Sequence, residues 1–335
     1  GYIYKIIKRL IFSILLTTTL GCAGKVSQNE EYPITLNNRK TYYEWGNFKK
    51  CDTIILAVHG YNDYGNAFEI PARYLSSNKF CIRSFDLNGF GKNENFGTWY
   101  PLELHIKDVK NEIDILAESY PDKDFFLLGE SMGGAIVLSL AASQSNLNIN
   151  GIILVAPAIW NFTERNFFKS KFLGLISYFF PRLSINGKGW VKVKASDNQE
   201  MLKTLAKDPY FVHNPNLRSL YGIIELMDES YEHTKIFLTK NNYPTLLLIP
   251  IKDEIVPRKP LIELLKNSRI NEFDNKKIDI KIFESSFHMM LRDLKGYRIT
   301  NEIKDWIINK NNNKIINLQK GREKLENSEF FHMLD

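Results

Sequence analysis

Residues 125–134 read FFLLGESMGG, and this stretch decides the fold. The apolar run Phe125–Leu128 has the length of a strand, Gly129-Glu130-Ser131-Met132-Gly133 fits the pattern G-x-S-x-G, and an apolar helical segment opens at Ala135. Strand, tight turn and helix in that order make a nucleophile elbow. So sharp a turn forces a strained backbone on Ser131, and only small neighbours such as Gly129 and Gly133 let the chain pass. The seryl hydroxyl is thereby pushed out above the end of a sheet, where the first N–H groups of the following helix meet a developing oxyanion.

Outward from the elbow, the chain alternates strands and helices. Thr53–Val58 is an unbroken apolar run, the mark of a strand buried on both faces in a parallel sheet covered by helices. Gly151–Val155 reads as another buried strand, Phe80–Phe85, Pro244–Ile251 and Ile278–Phe283 read as further strands of the sheet, and Tyr32–Asn38 and Arg39–Gly46 read as two short leading strands. Leu102, Ile106, Val109, Ile113, Leu116 and Tyr120 mark one face of an amphipathic helix that Pro121 ends. Further helices are expected at Ala67–Leu75, Leu261–Lys266 and Ile299–Ile308. The order predicts a doubly wound α/β core over 32–157 and 243–309, with its functional loops at the strand C-termini.

Between these two parts, over 158–242, the alternation lapses. Phe167, Phe168, Phe172, Leu173, Leu175, Ile176, Tyr178, Phe179 and Phe180 crowd into one short segment. An inserted helical cap with an apolar inner wall is the favoured reading, and a core helix pair competes with it. Lys169 and Lys171 beside the aromatic run suit a lipid headgroup region. Residues 310–335 read as a polar extension.

With 335 residues, 44% hydrophobic and 24% charged, the chain has the composition of an ordinary globular protein. A net charge of +6, scattered rather than clustered, gives no nucleic-acid footprint and supports only a mild attraction to anionic surfaces. Residues 1–31 read as an export leader and linker: Lys5, Lys8 and Arg9 precede the apolar run Leu10–Leu16, too short to span a bilayer. Leu20-Gly21-Cys22 resembles a bacterial lipoprotein processing site, with Cys22 as the lipidation candidate and Thr19 as a departure from the usual Leu. The expected location is the bacterial cell envelope, lipoprotein-anchored or periplasmic, with the cytoplasm as the alternative. Cys51 and Cys81 each start a predicted strand, and the sequence leaves open whether they form a disulfide or are two small buried thiols. No cysteine or histidine cluster suggests a metal, and no cofactor is implied.

Acyl transfer by a serine needs a base and a carboxylate to orient it. Asp253 directly follows one buried strand and His288 the next, so the order is Ser131, Asp253, His288 on one sheet edge. Glu254 is the weaker choice of acid, and His59, before Gly60, is read as bracing its loop. Together, His59-Gly60, Asp86 with Gly89 and Gly91, Gly129 to Gly134, Asp253 with Val256-Pro257, and His288 resemble the α/β-hydrolase superfamily. Within it the chain resembles the monoacylglycerol lipase and lysophospholipase group, over Tyr32 to about Ile308, and Lys207-Asp208-Pro209 resembles a recurrent cap feature of that group.

The resemblance implies a mostly parallel eight-stranded sheet flanked by helices, with an inserted helical cap. It implies Ser131 as nucleophile, His288 as base, Asp253 as its partner, and the backbone N–H groups of Tyr61 and Met132 as the oxyanion hole. The loop departs from the group at bulky Tyr61 and at Asn62-Asp63-Tyr64-Gly65, which stand where a small residue and a His-Ser pair are common. The expected activity is hydrolysis of carboxylic esters of single-chain lipids. A peptidase, amidase or thioesterase on the same fold and, behind these, a non-catalytic binding module are the alternatives.

Overall fold

The computed structural model describes residues 40–185, 193–267 and 277–311. Seven strands form one sheet: β1 (Tyr42–Trp45), β2 (Thr53–Val58), β3 (Phe80–Phe85), β4 (Asp124–Glu130), β5 (Gly151–Val155), β6 (Thr245–Pro250) and β7 (Ile278–Phe283). Their order is β1-β3-β2-β4-β5-β6-β7, with β1 antiparallel to β3 and every other neighbouring pair parallel. The described sheet thus has seven strands rather than the expected eight; the expected leading strand Tyr32–Asn38 lies outside the described residues. The second leading strand is observed as Tyr42–Trp45, and it ends where Gly46 takes a positive φ of 99° and turns the chain out of the sheet.

Nine α-helices accompany these strands among the described residues: α1 (Glu69–Ser77), α2 (Leu102–Ser119), α3 (Met132–Ser143), α4 (Phe162–Arg165), α5 (Phe167–Phe179), α6 (Gln199–Leu205), α7 (Leu217–Lys240), α8 (Lys259–Asn267) and α9 (Gly296–Asn311). Strand residues alternate between two hydrophobic layers, as a period of two demands. Ile54, Leu56 and Val58 join Leu127, Leu154 and Leu247 beneath α2, α3, α7 and α8. Ile55 and Ala57 join Phe126, Leu128, Val155 and Leu248 beneath α1 and α9, where Trp306 meets Phe126 edge-on at 5.9 Å. All six residues of β2 are buried, which is why its sequence shows no polar alternation.

From β2 the chain leaves to the α1 face, whereas from β4 it leaves to the α3 face. That divergence between adjacent strands opens a crevice at their C-terminal ends. The elbow helix begins at Met132, three residues before the apolar run starts, since Gly133 and Gly134 are already helical. Cys51 and Cys81, left open by the sequence, are bonded, with Cα atoms 5.9 Å apart, tying the entry of β2 to its neighbour β3.

The chain between β5 and β6 holds α4 to α7 and, among its described residues, no strand of the sheet. Ser170, Leu173 and Ser177 are the buried residues of α5. Phe167, Phe168, Leu175, Tyr178, Phe179 and Phe180 are exposed, so they do not form the expected apolar inner wall. α5 packs closely on α7: a Cβ on Gly174 would come 2.9 Å from the Tyr221 ring, and the side chains that α5 buries are two serines and one leucine rather than aromatic rings. α7 runs from this region into the core, where Phe237 and Leu238 lie against Leu154 and Leu247.

Candidate active site

Ser131 sits between β4 and α3 with φ 56° and ψ −118°, the left-handed backbone expected of the elbow and a strain of roughly 1–3 kcal/mol. Its N–H donates to the Val155 carbonyl at 2.9 Å, and its own carbonyl accepts from Ala158 N–H at 2.9 Å, so β5 and the following loop hold the strained turn. A Cβ on Gly129 would fall 2.3 Å from the Gly133 carbonyl oxygen, and one on Gly133 would fall 2.0 Å from that of Val58. No other residue type lets the turn pass this close to itself and to β2.

The loops after β4, β6 and β7 meet. His288 Nε2 lies 2.8 Å from Ser131 Oγ, and His288 Nδ1 lies 2.6 Å from Asp253 Oδ2. Asp253 Oδ1 accepts from the N–H groups of Ile255 and Val256, at 2.8 and 2.9 Å. Glu254 points elsewhere, accepting from Lys194 N–H at the surface.

One residue of this cluster escapes sequence reading. Arg258 is fully buried with its Nη2 3.0 Å from Asp253 Oδ2, while Nε and Nη1 donate to the carbonyls of Val256 and Pro157. Nη2 is not aligned for a hydrogen bond, so the contact with Asp253 is a charge pair. A single Arg in a loop forms no pattern, and its meaning follows only once Asp253 is placed. Burial pushes the Asp253 carboxyl up, but the charges of Arg258 and His288 and the hydrogen bonds together override it and hold the group below the usual range.

The loop after β2 lies against the nucleophile: a Cβ on Gly60 would be 3.1 Å from Ser131 Cβ and 3.6 Å from its Oγ. Tyr61 follows at once, and Met132 opens α3, where the first N–H groups of a helix lack intrahelical partners. His59 braces the loop as expected: its Nδ1 is 2.9 Å from the Gly60 carbonyl and its Nε2 accepts from Leu87 N–H at 2.9 Å. Those roles require the neutral ring with the proton on Nδ1, and complete burial lowers its pKa in the same sense.

Beneath the histidine lies a buried charged group that the sequence did not disclose. Arg292 donates to Asp63 at 2.7 Å and stands 3.9 Å from Glu130, the variable residue of the elbow before Ser131. Burial pushes the Glu130 carboxyl up, Arg292 opposes that without reversing it, and Oε1 has no hydrogen-bond partner among the described residues. The lipidation candidate Cys22 lies outside the described residues.

A family model described as "Serine aminopeptidase, S33" matches residues 49–295. The monoglyceride lipases of Mus musculus and Homo sapiens are 24% and 25% identical over 259 and 261 residues, each alignment spanning 76% of this chain and 82% of the relative. A phospholipase of Bacillus subtilis is 25% identical over 214 residues, 63% of this chain and 79% of its own length. Among solved structures, the monoacylglycerol lipase of Paleococcus ferrophilus superposes with a TM-score of 0.66 at 20% identity, covering 82% of this chain and all of that one. A soluble variant of the Saccharomyces cerevisiae monoglyceride lipase gives 0.66 at 19% identity, with 80% and 91% covered. These likenesses fix the α/β-hydrolase fold.

Proposed function

The chain belongs to the serine aminopeptidase family, and from that premise we propose that it is a carboxylic ester hydrolase acting on single-chain lipid esters, monoacylglycerols or lysophospholipids. The observation that carries the reading is the line of contacts from Ser131 Oγ through the His288 ring to Asp253, at 2.8 and 2.6 Å, behind a strained elbow. Ser131 is the nucleophile, and its Oγ attacks the ester carbonyl carbon while His288 Nε2 takes the hydroxyl proton. Asp253 holds the other ring nitrogen and stabilises the imidazolium. The N–H groups of Tyr61 and Met132 receive the oxyanion. As the tetrahedral adduct collapses, the alcohol leaves with the proton from His288, and water then releases the acid by the same steps in reverse order.

Exposed Phe168, Leu175, Tyr178, Phe179 and Phe180, with Lys169 and Lys171 nearby, support a helical cap over 158–242 whose outer face rests on an anionic lipid surface. Among the described residues no helix is long and apolar enough to cross a membrane. The Cys51–Cys81 bond and the basic, apolar leader ending at Cys22 support export to the cell envelope.

The test is hydrolysis of a p-nitrophenyl ester and of a monoacylglycerol by the wild type and Ser131→Ala. The variant is expected to lose about four to six orders of magnitude in kcat, as removals of triad members do. Equal turnover by the two proteins overturns the assignment of Ser131. A matched amide hydrolysed as fast as the ester moves the substrate class to peptides or amides, which the family description also covers.

A further inference from the structure

The loop Gly60–Gly65 carries Tyr61 past the nucleophile, and its residues are tied in turn to different parts of the molecule. Gly65 N–H donates to Asp86 Oδ1 at 2.8 Å, which anchors the loop to the sheet. Asp63 is paired with Arg292, four residues beyond His288. Three hydrogen bonds go to the helical segment between β5 and β6. The Tyr61 hydroxyl is 2.9 Å from Ser219 Oγ on α7. The Asn62 carbonyl accepts from Val212 N–H at 2.8 Å. The Tyr64 hydroxyl donates to Asp208 Oδ2 at 2.6 Å.

These anchors are themselves fixed. Asp208 Oδ1 accepts from Tyr210 N–H at 2.9 Å, and its carbonyl oxygen accepts from the His213 ring at 2.8 Å, which closes the turn that presents Val212. Ser219 stands in the first turn of α7, its N–H bound by the capping side chain of Asn216, which also donates to the Gly97 carbonyl at 3.0 Å. The Tyr61 ring is wedged edge-on against Phe90 and Trp99, at 6.1 and 6.2 Å. Asn62 at the centre takes a positive φ of 68°, the left-handed conformation that Asn adopts more readily than other side-chain-bearing residues.

We propose that this helical segment sets the oxyanion hole: Ser219 and Asp208 are positioning residues that, through the hydroxyls of Tyr61 and Tyr64, hold the Tyr61 N–H at the place where the carbonyl oxygen becomes an oxyanion. The inference rests on the ester-hydrolase reading above and adds to it a role for two residues remote from the bond being broken. An oxyanion donor acts only when aimed at the charge as it develops, and a displacement of about 1 Å costs about a hundredfold. The loop's sheet-side hydrogen bonds lie at its two ends, His59 and Gly65; between them the segment's hydrogen bonds fix Tyr61 and Asn62 together with the Phe90 and Trp99 rings and the Asp63–Arg292 pair.

Tyr61→Phe and Tyr64→Phe each delete one hydroxyl and keep the backbone N–H; Ser219→Ala deletes the partner of the first. Each is expected to lower kcat on a dissolved p-nitrophenyl ester about tenfold with KM within about twofold, and to weaken a trifluoromethyl ketone, whose hemiketal carries the oxyanion, by the same factor. Tyr61→Phe combined with Ser219→Ala is expected to cost no more than either alone. Ser230→Ala serves as the reference: Ser230 lies on the same α7, away from the loop, and its loss breaks a hydroxyl contact of 3.2 Å to Ser139 of α3, so the variant is expected to change denaturation midpoint but neither kcat nor ketone affinity. Wild-type kcat and ketone affinity in both Tyr→Phe proteins overturn the proposal, as does a fall in kcat with ketone affinity unchanged. Failure of the ester-hydrolase reading shows separately, as equal turnover by the wild type and Ser131→Ala.

Discussion

At the scale of single residues, the site is a set of buried charges whose ionisation is set by neighbours. Asp253 has no access to water and stays anionic because Arg258 and His288 stand beside it. Its carboxyl titrates lower folded than unfolded, so its stabilising contribution is complete above its ordinary value of 3.8 and is lost as pH falls through the folded value. Arg258→Met leaves that charge with one partner fewer, and a loss of about 3–5 kcal/mol is expected at pH 7. Because protonation of Asp253 relieves the unpaired charge, the gap to wild type should narrow below about pH 4 in urea titrations. Glu130 has the opposite sign. Burial raises its folded value above 4.5, the native state holds a proton that the unfolded chain has released, and stability therefore falls as pH rises through that interval. Glu130→Gln should remove this slope, of at most about 1.4 kcal/mol per pH unit, whatever its effect at any one pH. Parallel wild-type and variant curves from pH 4.5 upward would show that Glu130 is ionised throughout.

At the scale of elements, the disulfide joins the start of β2 to β3 across a separation of 30 residues. A loop of that length implies about 3–4 kcal/mol from the restricted unfolded chain. The double variant Cys51→Ala, Cys81→Ala should lose about that much in urea unfolding, and reductant should bring the wild type to the same midpoint; a wild-type curve indifferent to reductant contradicts the bond. The elements themselves were largely legible. β2, β3, β5 and β7 fall on the residues expected, β2 and β5 as continuous apolar runs and β3 and β7 as short stretches rich in Ile and Phe, and β4 extends the expected Phe125–Leu128 by one residue before and two after. The order Ser131, Asp253, His288 was legible because each residue lies in the loop or turn that follows a strand. What the sequence concealed depends on close approach. The buried stripe of α5 is Ser170, Leu173 and Ser177, so the large aromatic residues that dominate the composition lie on the wrong side for an inner wall. Arg258 and Arg292 acquire meaning only from loops brought together across the sheet, for which one-dimensional spacing has no signature.

At the scale of the whole molecule, the exposed aromatic face and the charge point the same way. Phe168 is 86% exposed and Phe180 60% exposed, beside Lys169 and Lys171 on a chain of net charge +6. Water does not favour a contiguous apolar patch of this kind, and each basic residue held at an anionic bilayer adds about 1 kcal/mol. The two contributions separate experimentally. Salt screens the charge term over a Debye length of about 10 Å at 0.1 M but leaves apolar insertion in place. Vesicles of phosphatidylglycerol and phosphatidylcholine should therefore bind the protein more tightly than phosphatidylcholine alone, with a difference that shrinks in salt and a residue of binding that does not. Phe168→Ser with Phe179→Ser should abolish that salt-resistant part and lower the ratio of turnover on vesicle-borne monoacylglycerol to turnover on a dissolved ester. The ratio is the quantity to read, because it cancels any change in the catalytic step common to both substrates. An unchanged ratio, with salt-resistant binding retained, would mean that the lipid surface is met by another face of the molecule.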